Sequence, residues 1–182
     1  MATAARQQAF EALVALGQKV EAHVENVSAR HPTRMHCGRG CHACCQPGLT
    51  VGPAEAARLR AHLSDPAVAG RVRALAELNP WRGTRCALLD VDGACSVYEA
   101  RPLVCRSHGV PQQVREEGET RRDACELNFT DVGLSTLDSR DVLDLDVVHT
   151  VLAVIHARFD AEGHDVRTPL TAQALVPTSR DT

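Results

Sequence analysis

Aromatic side chains and charge of one dominant sign are what this sequence has least of. Aromatic residues make up 3% of the 182 residues, and the formal net charge at pH 7 is −3. Proteins that bind single strands stack bases on aromatic rings, and proteins that bind duplexes neutralise phosphates with a basic surface. The composition therefore argues against a nucleic-acid partner. It also implies a core of Ala, Val and Leu, which bury less area per residue than aromatic rings.

The sequence also lacks a long apolar run. Its longest apolar stretch, residues 142–159, is interrupted by two Asp, two His and one Arg, which makes it too polar to cross a bilayer. The first ten residues, MATAARQQAF, have no basic start followed by an apolar run, which a secretory signal would need. We therefore expect a cytoplasmic protein with no membrane partner.

Cysteine is what the sequence has in excess. It contains eight Cys, and four of them fall within residues 37–45. In a reducing compartment, such thiols are more typical of metal ligands or redox groups than of a disulfide framework. Eight scattered core cysteines are the alternative, because free Cys is often buried, but the clustering argues against it. The candidate metal ligands are Cys37, Cys41, Cys44, Cys45, Cys86, Cys95, Cys105 and Cys125.

The first four cysteines form a C-x3-C-x2-C-C pattern. Thiolates are soft ligands that suit zinc, copper(I) or iron–sulfur clusters. If the segment is helical from Cys41 onward, the adjacent Cys44 and Cys45 side chains diverge by about 100°. The pair then serves two metals, or one of the two is a packed thiol. Eight thiols fit either two closely spaced metals or one metal or cluster with spare thiols, and the sequence leaves both open.

The C-x3-C-x2-C spacing also occurs in radical S-adenosylmethionine enzymes, in which three thiolates leave one iron open. Those enzymes usually carry an aromatic residue just before the third cysteine, where this sequence has Ala43. They also need a barrel of alternating strands and helices, which this sequence does not predict. This interpretation is therefore the weaker one.

Apolar periodicity predicts a mainly α fold with a small β-hairpin, arranged as a single metal-centred, cysteine-rich domain over residues 1–165. Its cysteine-cluster core spans about residues 36–130, and helices flank it on both sides. Residues 166–182 are predicted to be a flexible tail. The predicted helices are one that ends near Ala29, one from Pro53, one that Asp65 caps and Asn79-Pro80 stops, a short one after Arg101-Pro102, and one over residues 144–161 that Gly163 ends.

Turn residues place the hairpin in the middle of the sequence. Short apolar runs flank Asp92-Gly93, which is a typical hairpin turn. Such a hairpin would bring Cys86 and Cys95 near its two ends. Residues 111–123 are polar, and we predict a loop there.

The cluster CGRGCHACC, the later stretch CALLDVDGACSVYEARPLVCRSHG and the last cysteine together resemble the YkgJ-type cysteine-cluster family, described as a zinc- or iron-chelating domain. The family pattern continues with Tyr-x-x-Arg-Pro-x-x-Cys-Arg, which matches Tyr98, Arg101, Pro102, Cys105 and Arg106. The resemblance implies metal ions as partners and zinc or iron as the cofactor, with an iron–sulfur cluster as one form. It implies no reaction. A flagellin lysine-methylating enzyme is similar across this cluster, but this sequence has no glycine-rich methyl-donor loop.

Residues beside the cysteines are candidates for supporting roles. Tyr98, Arg101 and Arg106 would donate hydrogen bonds to thiolate sulfur, or Tyr98 would pack and Arg101 would pair with a carboxylate such as Glu99. Histidines next to cysteines could replace one of them as a ligand: His36, His42 and His108.

The sequence therefore predicts a zinc- or iron-chelating cysteine-cluster protein whose metal supplies much of the folding energy. The alternative is an iron or iron–sulfur enzyme in which an open coordination site performs redox or group-transfer chemistry. A closed four-thiolate zinc site would favour the first interpretation, because it has no open position. No catalytic residue and no protein partner follow from the sequence.

Overall fold

The computed structural model describes residues 2–38, 40–78, 83–160 and 166–176. Its α-helices are α1 (Ala2–Arg30), α2 (Pro53–His62), α3 (Pro66–Leu78), α4 (Leu103–Ser107), α5 (Leu145–Phe159) and α6 (Ala172–Leu175). Its strands are β1 (Thr50–Val51), β2 (Gln112–Glu116), β3 (Glu119–Asp123), β4 (Leu143–Asp144) and β5 (Thr168–Pro169). The strands form an antiparallel β1–β5 pair and a sheet in the order β3-β2-β4. The prediction of a mainly α fold with a small β part is confirmed.

Helices α1 and α5 pack together and form one core cluster. The apolar positions of α1 and α5 recur at three- and four-residue steps, as an amphipathic helix requires. The buried residues that α1 and α5 contribute are Ala9, Leu13, Val20, Val148, Ile155 and Phe159. Asp144 caps α5, because its Oδ1 accepts hydrogen bonds from the backbone N–H groups of Asp146 and Val147 at 3.1 and 3.3 Å. The predicted end of α5 at Gly163 lies outside the described residues.

Helices α2, α3 and α6 build a second core cluster, which includes Leu59, Leu63 and Val72. The predicted Asp65 cap of α3 is confirmed, since its Oδ1 accepts from the Ala67 N–H at 2.8 Å. The predicted stop at Asn79-Pro80 lies outside the described residues. Among the described helices, none combines the length and the apolar character that a membrane span requires.

The loop predicted over residues 111–123 is wrong, because strands β2 and β3 form a hairpin there. Glu117 and Gly118 form its turn with φ angles of 52° and 85°. Two successive left-handed residues suit the twist of a two-residue hairpin. Glu-Gly is a weak hairpin signal, because the Cβ of Glu disfavours positive φ, and the exposed strands carry no apolar alternation.

The hairpin predicted around Asp92-Gly93 is reduced to one isolated bridge between Leu89 and Cys95. The Asp90 N–H donates to the Ala94 carbonyl at 2.8 Å, and the Ser96 N–H donates to the Leu88 carbonyl at 2.9 Å. The tight turn is therefore present without flanking strands. It still brings the segments that contain Cys86 and Cys95 side by side.

The tail predicted over residues 166–182 is wrong for residues 166–176. The Leu170 N–H donates to the Leu49 carbonyl at 2.9 Å, beside the β1–β5 pair. Leu170, Leu175 and Val176 are buried in the core cluster of α2 and α3, so these apolar side chains fix a segment that has little helical periodicity. Residues 177–182 lie outside the described residues.

Candidate metal centre

The first cysteine cluster is a loop with tight turns. The Cys41 N–H donates to the Gly38 carbonyl at 3.1 Å, and the Cys45 N–H donates to the His42 carbonyl at 3.0 Å. The described residues of this segment are not helical, so the predicted divergence of adjacent side chains does not apply. The thiols of Cys44 and Cys45 are instead hydrogen-bonded to each other.

The charges of five thiols act on one another, and two of these thiols, Cys86 and Cys95, pack against the core. Cys45 is tied to the second segment, because the Cys86 N–H donates to the Cys45 carbonyl at 2.9 Å. The charge of a Cys45 thiolate would interact with the thiols of Cys44, Cys86 and Cys105, and the charge of Cys105 also interacts with Cys95. We call this set the inner thiol group: Cys44, Cys45, Cys86, Cys95 and Cys105.

The other three thiols differ in burial: Cys37 is exposed, Cys41 is half-buried and Cys125 is buried. The electrostatic neighbours of Cys37 are Cys125, Cys41 and Cys44. We call Cys37, Cys41 and Cys125 the outer thiol group. Cys44 is thus a neighbour of both groups. All eight cysteines are free thiols.

Gly109 leaves the space that the Cys37 sulfur occupies. A Cβ at residue 109 would lie 2.5 Å from Cys37 Sγ, which is closer than any side chain tolerates. A glycine at this position therefore lets the Cys37 thiol approach the backbone that follows α4. The sequence places this glycine at the end of the second cysteine stretch but does not indicate this contact.

Asn128 is a site residue that the sequence analysis missed. Its side chain is buried, its Oδ1 accepts from the His36 N–H at 2.9 Å, and its Nδ2 donates to the Gly109 carbonyl at 2.6 Å. The same Nδ2 lies 3.2 Å from Cys37 Sγ, where it donates to the sulfur. Donors of this kind orient a thiolate and offset its charge. An Asn three residues after the last cysteine is not a recognisable motif, so no sequence signal distinguishes it from a turn residue.

Burial makes three of the inner thiols poor acids: Cys86, Cys95 and Cys105. It raises the pKa of Cys86 and Cys95, and it is the largest cause that raises the pKa of Cys105 to about 12. The hydrogen bond between Cys44 and Cys45 lowers the pKa of Cys44 and raises that of Cys45. A bound cation would favour the thiolate forms, because metal binding releases the thiol protons.

Arg106 connects α4 to α1 and donates no hydrogen bond to sulfur. Its buried guanidinium pairs with the Glu21 carboxylate and donates to the Glu99 and Arg101 carbonyls at 2.6 and 2.9 Å. The role predicted for Arg106 as a donor to thiolate sulfur is therefore replaced by a role in holding α4 in place.

Arg101 lies closer to the thiols. Its Nη2 pairs with Glu21 Oε1 at 2.7 Å, so the predicted pairing with a carboxylate is confirmed, and the partner is Glu21 rather than Glu99. Its guanidinium carbon lies 3.8 Å from the centroid of the Tyr98 ring, which is half exposed rather than packed. The Arg101 Nε is buried with no hydrogen-bond partner within the described residues. Its charge also acts on Cys95, where burial is the larger influence on the pKa.

Glu55 holds the helix that carries Cys105. Its carboxylate is buried, and its Oε1 accepts from the Leu103 N–H, at the start of α4, at 2.9 Å. Its Oε2 lies 3.7 Å from His156 Nε2 on α5. The carboxylate therefore joins α2, α4 and α5 beneath the inner thiol group.

The three candidate histidines differ in their surroundings. His36 and His108 are exposed. His42 packs over the tight turn, where a Cβ at Gly93 would lie 2.3 Å from its Cδ2. The hydrogen bond with Cys45 is the largest cause that lowers the pKa of Cys44. The charge of the nearby His108 lowers it further.

The donor set fits zinc or iron. Thiolates are the ligands that these ions take in closed protein sites. The Asn128 amide donates to the Cys37 sulfur, and the charge of Arg101 favours the thiolates of Cys44 and Cys95. Within residues 2–38, 40–78, 83–160 and 166–176, no three His, Cys, Asp or Glu side chains already converge in a metal-ligand arrangement. Ligation would therefore require the thiols to change rotamer and turn towards one another.

The donor chemistry and the grouped thiols define a metal-chelating cysteine-cluster protein. The family model described as "CxxCxxCC: Putative zinc- or iron-chelating domain" matches residues 36–126, a span that contains all eight cysteines and half of the 182-residue chain. The chain belongs to this family. No curated protein and no solved structure matches it.

Proposed function

We propose that this protein binds zinc or iron in two neighbouring sites that each use four of the eight cysteines. One set, the inner site, is Cys45, Cys86, Cys95 and Cys105. The other, the outer site, is Cys37, Cys41, Cys44 and Cys125. Four thiolates complete the tetrahedral shell that a structural zinc ion takes.

The position of Cys44 is the observation that carries this proposal. Its thiol is an electrostatic neighbour of Cys37 in the outer thiol group and of Cys105 in the inner one. Cys44 and Cys45 follow each other in a non-helical turn, so small rotations of their side chains would assign one thiol to each site. The adjacent pair would then join the two sites.

The metal ions would also support a small core. The aromatic-poor interior is divided into three clusters of buried side chains, and every thiol except that of Cys105, on α4, belongs to a segment outside the helices and strands. A metal ion that binds only the folded protein adds its binding free energy to the free energy of folding. We therefore infer one metal-binding domain, which includes residues 166–176 because they pack on α2, in a reducing cytoplasmic environment that keeps the eight thiols free.

Metal content measured on protein purified without oxygen tests the proposal. We expect about two zinc or iron ions per chain, because each four-thiolate site holds one ion. The matched control is Ser96→Ala, which changes a hydroxyl beside Cys95 and should retain both ions. Metal-free protein with eight freely titrating thiols would contradict the proposal. Brown protein with inorganic sulfide would instead support the iron–sulfur alternative.

A further inference from the structure

Cys37 differs from the inner thiols in its access to solvent. Cys37 is exposed, and so are His36, Gly38 and Gly40 around it. Cys86 and Cys95 pack against the core cluster of α2, α3 and α6. An approaching ligand would therefore reach Cys37 directly, although Cys125 of the same group is buried, whereas the protein core covers one side of Cys86 and Cys95.

The segment that carries Cys105 is also held to the rest of the protein by more contacts than Cys37 is. Around the inner group, α4 is held by the buried Arg106–Glu21 ion pair and by Glu55, which accepts from the Leu103 N–H. Cys37 is held by a single described hydrogen bond from the Asn128 amide, and its sulfur lies in the space that Gly109 leaves. A thiolate with one hydrogen bond and an exposed side can leave its metal ion far more easily than a thiolate fixed in a packed core.

We propose that the outer site, formed by Cys37, Cys41, Cys44 and Cys125, holds an exchangeable thiophilic metal ion as cargo, whereas the inner site holds a structural ion. This inference rests on the proposed two-site function and assigns a different role to each site. Exchange begins when an incoming thiol or chelator takes the position of Cys37. The departing thiolate takes up a proton, and no electron moves.

Zinc release from the anaerobically loaded full-length protein tests this inference. Excess chromogenic chelator is added, and the release of zinc is followed with time. We expect two phases of about one zinc ion each, with rates that differ by at least about tenfold, a usual size of effect for changes around metal ligands. Cys37→Ser should abolish the fast phase, lower the zinc content to the inner ion and leave the slow phase and the far-UV circular dichroism unchanged.

A glycine pair supplies a variant that keeps every ligand. In Gly109→Ala, the new Cβ would lie 2.5 Å from Cys37 Sγ and displace it, whereas a Cβ at Gly38 meets no atom within 4 Å. We expect Gly109→Ala to accelerate the fast phase by about tenfold or more and to leave the slow phase unchanged. Gly38→Ala should match the wild type in both phases.

The outcomes separate this inference from the proposed function. Zinc that binds but leaves the wild-type protein in a single phase would overturn the exchangeable outer site and leave metal binding intact. A change confined to the slow phase in Gly109→Ala would also overturn it. A wild-type protein that retains neither zinc nor iron would overturn the proposed function itself.

Discussion

Replacing Glu21 by Gln tests whether a buried ion pair holds the second cysteine stretch on α1. The Glu21 carboxylate is the shared partner of Arg101 and Arg106, and the Arg106 side chain is only 6% exposed. Gln keeps the shape of Glu but removes the negative charge. The Arg106 cation would then remain buried with neutral acceptors alone among the contacts described: the Glu99 and Arg101 carbonyls and the amide oxygen of the new Gln.

The expected cost follows from these contacts. Breaking a buried ion pair by removing one partner typically costs about 3–5 kcal/mol. The Glu21 side chain is 34% exposed, and Arg106 retains two carbonyl acceptors, so we expect about 2–3 kcal/mol. For a domain of this size, that loss lowers Tm by about 4–12 °C.

Thermal unfolding of the zinc-loaded protein, followed by far-UV circular dichroism, measures the effect. Glu11→Gln is the matched control, because Glu11 lies on the same helix and accepts an exposed hydrogen bond from Gln7 at 2.8 Å. Such a pair contributes only about 0.2–0.5 kcal/mol. If Glu21→Gln lowers Tm no more than Glu11→Gln does, Arg106 does not depend on Glu21 and the reasoning is refuted.

Two further predictions concern other buried polar groups. Asn128→Ala removes the N–H that lies 3.2 Å from Cys37 Sγ, so competition against a chelator should show zinc affinity about ten- to a hundredfold lower; unchanged affinity would contradict a role for the amide at the sulfur. Asp141 is buried, which raises its pKa, but hydrogen bonds from His31 and Arg30 outweigh this effect and lower the pKa overall. The Asp141 carboxylate therefore stabilises the fold above its unfolded pKa, and this stabilisation is lost as pH falls through the lower folded pKa. Asp141→Asn should flatten the acid side of a plot of Tm against pH. An unaltered acid side would argue against this ion pair.

Helix positions were largely predictable because their signals are local. Asp65 and Asp144 cap the backbone N–H groups two and three residues ahead, and Pro53 begins α2 as the first-turn preference of proline predicts. Turn signals are local too, and the predicted hairpin was misplaced because its strands depend on pairing with other parts of the chain. Asp92-Gly93 carries the stronger turn signal, but the turn with flanking strands forms at Glu117-Gly118, where β2 also pairs with β4.

The sequence by itself determined the kind of chemistry, since the types and the spacing of eight cysteines suffice to indicate soft-metal chelation, a prediction that the family match supports. Only the tertiary structure decided how those thiols are grouped, because it depends on contacts between distant segments. The Asn128 amide reaches Cys37 across 91 positions, and Arg101 reaches Glu21 across 80. Periodicity and capping act over a few residues along one helix, whereas such contacts arise only when packed helices bring loops together, so no local pattern in the sequence records them.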